Sequence, residues 1–459
     1  MPLLRSLPAL LACALALPSG AHAEAAEPTQ QITPDVAEPL PATVSPTVPP
    51  TVPPAVTDFV LTQPAAQDIQ DDLPPLPTID LITPPDNLWQ RIRNGFGMPD
   101  LHSPLVADRQ AWYLNRPDQF RRIIERSGRY LYHIVDELER RGMPTELALL
   151  PMVESAFNPL AASPARALGM WQFIPSTGKN YKLDQNWWRD ERRDIIASTS
   201  AALDYLQKIY EMHGDWHLAL ASYNWGEGAV ARAVAKNRAK GLPTDYVSLT
   251  MPGETRYYVP KLQALKNIIA QPELYGFQLD AVPNRPYFGT VGLPGDMDIT
   301  VAAKLAEVPL AEFIALNPAY HRPLMRGAPA SQLVLPTEKI QVFQTNLERY
   351  EAQDKPLTHW RTYRLKPGEK LETVAGRFGL SAAHLKQLNG ITRRVKVGPG
   401  LNLLVPGPGA QLSDQLAAQL PKVPAESRKV GKKKRSIKGS PKHKASGASR
   451  KPATGKKRR

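Results

Sequence analysis

Hydrophobic residues recur at helical spacing from about residue 88 to residue 279. Pro117, which favours the first turn of a helix, and Gly142, which favours the position just past a helix end, bound the clearest segment. Its apolar positions share one helical face: Phe120, Ile123, Ile124, Leu131, Ile134, Val135 and Leu138. Further segments with the same periodicity follow: 144–155, a segment that starts at Asp194, 216–223, 229–237 and 256–269. The pattern predicts an all-α domain over residues 86–282.

After Pro283 the pattern changes to short strands and turns, and one segment repeats. Leu-Pro-Gly-Asp at 293–296 corresponds to Lys-Pro-Gly-Glu at 366–369, and similar residues follow both at nearly matching distances. Each copy is typical of a strand, a Pro-Gly turn, two short helices and a second strand. We therefore predict a multidomain protein in which the all-α domain precedes two small α+β modules of βααβ order, at 283–340 and 358–407.

Two segments differ from the rest in composition. Residues 24–85 contain fifteen prolines and nine acidic residues but no lysine or arginine. Residues 422–459 contain sixteen Lys or Arg and one Glu, and this excess is larger than the net charge of +14 of the whole chain. Neither segment has enough apolar residues to form a core, so we predict a disordered linker at 24–85 and a disordered basic tail at 420–459.

The N-terminus is typical of an export signal. Arg5 precedes an apolar run at 7–17, and Ala-His-Ala at 21–23 is a cleavage site of the small-x-small type. The run is too short to cross a bilayer, which takes about 20 residues. We predict a signal peptide at 1–23 and a mature protein in the periplasm or cell envelope. Lipidation of Cys13, with outer-membrane anchoring, is the less favoured alternative because the apolar run continues past that residue.

Export and charge together restrict the partners and cofactors. A basic tail binds nucleic acid in solution, but outside the cytoplasm it meets anionic lipid headgroups or acidic wall polymers. The rest of the chain is close to neutral. We therefore expect an anionic envelope surface as a partner of the tail, and no physiological nucleic acid. Cys13 is the single cysteine, which excludes a disulfide framework and a cysteine-based zinc site.

Glu154 is the strongest candidate for catalysis. It lies at the end of an apolar helical segment, and Pro159 shortly after it ends the helix. Burial near Phe157, Trp171 and Phe173 would raise the pKa of its carboxyl group and keep it protonated near neutral pH. A protonated carboxylic acid in an apolar cleft can protonate a glycosidic oxygen. The alternative is a solvated carboxylate at a helix end.

The surroundings of Glu154 indicate a sugar-binding cleft. Aromatic residues are frequent in the domain, and their faces pack on the apolar faces of sugar rings. The candidates are Trp171, Trp187, Trp188, Tyr223, Trp225, Tyr257 and Tyr258. Ser163 and Gln172 supply polar groups, whereas Trp216 and Tyr205 are better explained by core packing. His213 and His217 have the spacing of a zinc pair but no third ligand, so we predict no metal and no cofactor.

These residues follow a known pattern. The run from Glu154 to Pro175 resembles the first two motifs of the family 1 lytic murein transglycosylases, which have a goose-type-lysozyme-like fold. The pattern is Glu-Ser, a serine nine residues after the glutamate, which is Ser163 here, and then Gly-x-x-Gln at 169–172. Segments 219–226 and 254–259 resemble the third and fourth motifs, with Ser and Trp replacing two alanines of the third.

The resemblance implies cleavage between N-acetylmuramic acid and N-acetylglucosamine without water. Glu154 would protonate the leaving oxygen and then accept the proton of the muramoyl 6-hydroxyl, which leaves a 1,6-anhydro end. Ser163 would support Glu154 or the acetamido group. Gln172 and Asn224 would bind sugar, and Tyr223 and Tyr258 would position the ring in which charge develops.

Two alternatives to the lyase stay open. A hydrolase of the same fold would need a second carboxylate, for which the candidates are Asp190, Glu191, Glu227 and Glu254. Glu254 and Arg256 are better explained as a structural pair that frames the cleft. A glycan-binding scaffold would keep the modules and lose the chemistry. Residues 362–406 resemble LysM, which binds N-acetylglucosamine-containing glycans, and 290–336 resembles a degenerate copy that packs on the catalytic domain.

Overall fold

The computed structural model of the protein describes residues 85–328, 331–392, 395–408, 410, 416 and 419–421. The predicted signal peptide (1–23), the linker up to residue 84 and the basic tail from residue 422 lie outside the described residues. Among the described residues, no helix combines the length and apolar character that a membrane crossing requires.

The first part of the described chain is helical. Its helices are α1 (Leu88–Asn94), α2 (Pro104–Leu114), α3 (Pro117–Ser127), α4 (Leu131–Arg140), α5 (Leu150–Ser155), α6 (Pro175–Asn180), α7 (Ile195–His213), α8 (Trp216–Trp225), α9 (Glu227–Arg238) and α10 (Gly253–Ala270). The predicted helix at 144–155 is a 3-10 turn, Thr145–Leu149, that continues as α5. Helix α10 packs against α2, α5 and α8, so the fourth motif lies beside the helices that carry the first and third motifs.

The helix predicted between Pro117 and Gly142 is two helices. The Ser127 hydroxyl donates to the carbonyl oxygen of Ile124 at 2.6 Å, and the Tyr130 N–H donates to the Ser127 carbonyl at 2.8 Å. A side chain that bonds to its own backbone competes with the helical ladder, and glycine, here Gly128, has low helix propensity. The periodicity continued across the break because α3 and α4 both contribute buried residues to the same core.

The first module contains β1 (Phe288–Gly292), β2 (Met297–Asp298), α11 (Ile299–Leu305), α12 (Leu310–Leu316), β3 (Leu324–Met325), β4 (Gln332–Pro336) and α13 (Ile340–Glu351). Strand β1 pairs antiparallel with β4, and β2 pairs antiparallel with β3. Helix α13 belongs to the module because Phe343, on its inner face, is fully buried in the module core.

The second module contains β5 (Trp360–Arg364), α14 (Leu371–Arg377), α15 (Ala382–Leu388) and β6 (Asn402–Pro406), with β5 and β6 antiparallel. One asparagine in each module makes the same set of hydrogen bonds, as expected of a structural repeat. Asn317 donates to the carbonyls of Phe313 and Val334 and accepts from the N–H of Val334. Asn389 makes the same three bonds, to Leu385 and twice to Leu404.

A segment of the helical domain, 186–193, contacts both modules. The Trp187 indole N–H donates to the Asn389 carbonyl at 3.2 Å, and Arg322 lies over the Trp187 ring at 4.6 Å. Trp188 packs against a cluster that both modules share: Leu324, Trp360, Leu388 and Leu404. The two tryptophans therefore lie at the module junction, which corrects the expectation that they line the cleft with Glu154.

Candidate active site

Glu154 lies in the last turn of α5, just before a backbone conformation that is unusual for residues with side chains. Ala156 and Phe157 both have left-handed φ angles, 53° and 55°. Such residues cost about 1–3 kcal/mol each and persist where the surroundings hold them. The Phe157 side chain is fully buried, and the Arg126 guanidinium donates to the Ala156 carbonyl at 2.5 Å. The chain directly after Glu154 is therefore fixed from two sides.

The loop that carries the second motif is attached to the same helix end. The Ser155 hydroxyl donates to the Met170 carbonyl at 2.9 Å, and the Gln172 amide donates to the Gly169 carbonyl at 2.7 Å. Gly169 has φ of 79°, and a Cβ there would lie 2.2 Å from the Arg192 carbonyl oxygen. Only glycine fits this position. The Glu-Ser and Gly-x-x-Gln motifs thus form one connected structure.

Arg192 binds the backbone of this loop. Its guanidinium donates to the carbonyls of Arg166 and Phe173 at 2.8 and 3.2 Å, and to both carboxylate oxygens of Asp190 at 2.9 and 2.6 Å. Arg192 and Asp190 are both buried. Sequence reasoning missed Arg192, although an Asp-x-Arg spacing next to a helix cap at Asp194 was visible.

Tyr258 and Tyr223 meet at Glu154. The Tyr258 hydroxyl donates a hydrogen bond to Glu154 Oε1, and the Tyr223 hydroxyl donates to the Trp171 carbonyl at 2.8 Å. Burial raises the pKa of each tyrosine well above its ordinary value, and the nearby Glu154 charge raises both further. Both tyrosines therefore stay protonated and act as hydrogen-bond donors.

The pKa of the Glu154 carboxyl group lies near neutral pH. Burial raises its pKa to about 7, which outweighs the lowering by the Tyr258 hydrogen bond and the positive charge of Lys261. The charge of Glu254 raises this pKa as well. A group with this pKa is present in both protonation states near pH 7, so it can donate and accept a proton. Lys261 was missed, although it shares one face of α10 with Glu254 and Tyr258 at helical spacing.

Asn224 and Ser163 have different surroundings. The Asn224 side-chain oxygen accepts from the Thr255 hydroxyl at 2.8 Å, and its amide NH₂ makes no hydrogen bond within the described residues. Ser163 closes its own loop: its hydroxyl accepts from the Ala167 N–H at 3.1 Å, and its N–H donates to the Ala167 carbonyl. The structure therefore brings Glu154, Tyr223 and Tyr258 into one group, with Gln172 in the attached loop, and gives Ser163 a loop-closing contact.

Comparison with known proteins agrees with this geometry. The model of the transglycosylase SLT domain matches residues 132–244, and that of the LysM-like domain of lytic transglycosylase MltD matches 287–352. Membrane-bound lytic murein transglycosylase D of Escherichia coli K12 is 34% identical over 334 residues, which are 71% of this chain and 74% of that protein. The chain belongs to the lytic murein transglycosylase family.

Two further relatives share shorter segments with this lytic transglycosylase. A putative tributyltin chloride resistance protein of Alteromonas is 44% identical over 115 residues, 25% of this chain and 56% of that protein. Membrane-bound lytic murein transglycosylase C of Glaesserella parasuis is 28% identical over 157 residues, 31% and 40% of the two chains. The predicted family, the enzyme class and the order of a transglycosylase domain before a LysM-like domain are confirmed.

The remaining carboxylates of this transglycosylase differ in whether they form hydrogen bonds and salt bridges. Asp190 binds Arg192, Glu191 binds Arg189 and accepts from the Asp184 N–H, and Glu227 accepts from the Tyr205 hydroxyl. Glu254 is exposed at the start of α10 and close enough to influence Glu154. Of the four carboxylates considered for a second catalytic role, Glu254 alone makes no side-chain hydrogen bond or salt bridge within the described residues and also acts electrostatically on Glu154.

Two sequence expectations need correction. Arg256 does not pair with Glu254: its guanidinium donates to the Leu249 carbonyl at 2.6 Å, because residues two apart on a helix point in different directions. Trp171 does not face a sugar: it is fully buried, and its indole N–H donates to the Thr199 hydroxyl at 3.0 Å. Among the described residues, no group of three His, Cys, Asp or Glu is placed to hold a metal ion.

Proposed function

We propose that this lytic transglycosylase cleaves the β-1,4 bond between N-acetylmuramic acid and N-acetylglucosamine in peptidoglycan without water, during cell-wall remodelling. The observation that carries the proposal is the state of Glu154, a single carboxyl group with a pKa of about 7 in contact with Tyr258. One carboxyl group that donates and then accepts a proton suits an intramolecular reaction, in which the sugar supplies its own nucleophile.

The chemistry proceeds in two proton transfers. Protonated Glu154 donates its proton to the glycosidic oxygen as the bond from that oxygen to muramoyl carbon 1 breaks. The resulting carboxylate accepts a hydrogen bond from Tyr258, which stabilises its charge. The carboxylate then takes the proton of the muramoyl 6-hydroxyl while that oxygen bonds to carbon 1. The product is a 1,6-anhydro end, and Glu154 is protonated again for the next cycle.

Substrate binding would involve the groups around this carboxyl group. The unbonded amide NH₂ of Asn224 supports a role in donating to a sugar oxygen. Gln172 is held at the cleft by its bond to Gly169. Tyr223, whose hydroxyl is fixed on the Trp171 carbonyl, would present its ring beside the sugar. Ser163, which closes its loop on Ala167, would act through the position of that loop.

Glu254 favours one alternative, a hydrolytic muramidase or chitinase-type enzyme. An inverting glycosidase holds water with a second carboxylate about 6.5–9.5 Å from the acid. Glu254 influences the pKa of Glu154 and has no partner among the described residues, so it is the group that would fill this role. The products distinguish the two reactions, because hydrolysis leaves a reducing muramic acid end.

We also infer glycan binding by the second module and a location in the cell envelope. The order β5, α14, α15, β6 with an antiparallel strand pair fits the LysM resemblance of residues 362–406. Location in the periplasm follows from the predicted signal peptide, and the basic tail would add contacts with an anionic envelope surface. The finding that transglycosylase D of E. coli carries the description membrane-bound supports envelope location.

Mass spectrometry of fragments released from purified peptidoglycan tests the function. We expect anhydromuramoyl ends from the wild type and none from Glu154→Gln, which keeps the shape of the side chain but cannot donate the acidic proton. Reducing muramic acid ends would overturn the lyase reaction in favour of hydrolysis. Release of no fragments by the wild type, with glycan still bound, would leave only a peptidoglycan-binding scaffold.

A further inference from the structure

A second concave site lies between the catalytic domain and the first module. It is a groove of about 890 Å³ formed by the end of α3, the connecting segment 280–287 and the turn after β4 at Thr337 and Glu338. This volume is within the roughly 300–1,000 Å³ of small-molecule sites. We call it the connector groove. None of the residues Glu154, Tyr223 and Tyr258 lines it, so it is separate from the catalytic cleft.

The walls of the connector groove are fixed by backbone hydrogen bonds. The Val282 carbonyl accepts from the Leu88 N–H at 2.8 Å, and the Tyr287 carbonyl accepts from the Thr337 N–H at 3.0 Å. The Thr337 hydroxyl donates to the Pro286 carbonyl at 3.1 Å. These bonds hold the connecting segment to the start of α1 on one side and to the first module on the other. The groove is therefore preformed, which reduces the entropy lost when a ligand binds.

Charges of both signs line the groove around an apolar floor. Arg285 is exposed and forms no salt bridge within the described residues, and the same holds for Glu125 and Glu338 on the facing walls. Ile124 and Val282 supply apolar surface between them. Asp280 and Arg129 line the groove as well, so a purely anionic ligand would meet three carboxylates here, and a neutral sugar would leave the charged groups unused. The lining instead matches a short chain that carries carboxylates, amino groups and small apolar groups together.

The same helix end serves both sites. Arg126, three residues before the groove residue Arg129, fixes the Ala156 carbonyl two residues past Glu154. Tyr130, directly after Arg129, stacks on Phe157 with ring centroids 6.4 Å apart and an interplanar angle of 4°. The connector groove and the segment that follows Glu154 therefore both contact the α3 terminus. That position suits a part of the substrate that branches away from the bond being cleaved.

We propose that the connector groove binds the short peptides that branch from peptidoglycan strands, with Arg285 on a peptide carboxylate and Glu338 on a peptide amine. This inference rests on the proposed function, because it takes peptidoglycan as the substrate. It assigns the peptide portion of the substrate to a site outside the catalytic cleft. Peptide-bearing strands would then bind more tightly than strands from which the peptides have been removed.

Binding is tested first without any reaction. The probe is a synthetic alanyl-γ-glutamyl-diaminopimelyl-alanine tetrapeptide, titrated into the full-length protein by calorimetry. We expect Arg285→Ala and Glu338→Ala each to weaken binding about tenfold, as loss of a charged hydrogen bond predicts. The matched control is Arg238→Ala, at an exposed position near the end of α9 that does not line the groove. Equal affinity in all four proteins would overturn the proposal.

A double comparison tests the assignment of the two charges. If Glu338 binds the side-chain amine, acetylation of that amine should weaken wild-type binding, and Glu338→Ala should then cause no further loss. Arg285→Ala should still weaken binding of the acetylated peptide. Binding that is indifferent to acetylation would contradict the role of Glu338.

Turnover separates this proposal from the proposed function. With peptide-bearing strands, Arg285→Ala should raise KM and leave kcat unchanged, whereas with peptide-free strands both constants should match those of the wild type. If Arg285→Ala and the wild type have identical constants on both substrates, peptide binding in the connector groove is refuted, while the lyase reaction is unaffected. Failure of the wild type to release anhydromuramoyl ends from either substrate would refute the lyase, and the calorimetric result on the tetrapeptide would still stand.

Discussion

At the scale of single residues, the chemistry of the site depends on the pKa of Glu154, which its neighbours set. Three groups act on it in known directions: Tyr258 and Lys261 favour the carboxylate, and Glu254 favours the acid. Burial exceeds all of them and brings the pKa to about 7. The residue type was visible in the sequence, but the balance of these effects depends on side chains brought together from α5 and α10.

Glu154→Gln should stabilise the protein relative to the wild type at alkaline pH. Because the pKa of Glu154 is raised on folding, its contribution to stability is fully present below about pH 4.5 and is lost as the pH rises through about 7. We expect the variant to gain about 1–3 kcal/mol in unfolding free energy relative to the wild type between pH 5 and pH 8.5. Urea unfolding at both pH values measures it, and a constant difference would show that the pKa of Glu154 is not raised.

Tyr258→Phe should move the alkaline limb of the activity profile to higher pH. The lost hydrogen bond stabilises the Glu154 carboxylate, so its removal raises the pKa of Glu154 further. The measurement is kcat/KM against pH on a soluble glycan substrate, with the absolute rate falling about 10- to 100-fold because the carboxylate formed in the reaction loses a donor. A limb that stays in place or moves to lower pH would show that Tyr258 does not act on Glu154.

Lys261→Met and Glu254→Gln should shift the same limb in opposite directions. The Lys261 charge lowers the pKa of Glu154 and the Glu254 charge raises it, so the first variant should move the limb up and the second should move it down. Lys261→Arg retains the charge and serves as the control. If Glu254→Gln instead abolishes turnover without any shift, Glu254 is a catalytic base and the reaction is hydrolysis.

At the scale of elements, the sequence predicted helices and strands well where periodicity reflects a single core. It missed the break at Gly128, because residues on both sides of the turn face the same core and keep the spacing intact. It also missed the contact that organises the second motif. Arg192 and Asp190 lie about twenty residues after Gly169 and Gln172, and nothing in their local pattern indicates which carbonyls the guanidinium reaches.

Arg192→Met should destabilise the protein strongly and disturb the second-motif loop. The change removes donors to the Arg166 and Phe173 carbonyls and leaves the Asp190 carboxylate buried without its partner. Breaking a buried pair from one side costs about 3–5 kcal/mol. Urea unfolding measures the loss, and the double variant with Asp190→Asn should recover part of it. A double variant as unstable as the sum of both single changes would argue against the pairing.

At the scale of the whole molecule, the modules are held against the catalytic domain by residues 186–193. Asp190 donates its backbone N–H to the Ala319 carbonyl at 2.9 Å, and His321 Nε2 donates to the Trp187 carbonyl at 2.6 Å. Burial keeps the pKa of His321 at about 4, so it is neutral at physiological pH and its tautomer supplies this bond. The segment thereby links the second-motif loop, which Arg192 binds, to both modules.

Trp187→Ala should loosen the second module without disturbing Glu154 and Tyr258. The variant loses the indole bond to the Asn389 carbonyl and the stacking of Arg322. We expect faster backbone hydrogen exchange around Asn389 and Gly390, while exchange in α5 and α10 stays unchanged. Trp216→Phe, which alters an aromatic residue on α8 away from the junction, is the control. Unchanged exchange at Asn389 would show that the contact does not hold the module.

The features of this protein that depend on local pattern were predictable from the order of its residues. Helical periodicity predicted the all-α domain, the internal repeat predicted the two modules, and the order of four motifs, with Glu154, Gln172, Asn224 and Tyr258, carried the resemblance to the family. The family and enzyme class that these motifs predicted are confirmed by the comparisons.

The features that depend on contacts between residues far apart in the sequence became visible only in the folded protein. Glu154 and Tyr258 are 104 positions apart, and Trp187 and Asn389 are 202 apart. The pKa of Glu154, the burial of Trp171, the place of Trp187 and Trp188, and the connector groove all arise from such contacts. Burial and electrostatic interaction are properties of the packed neighbourhood, so no pattern along the chain specifies them.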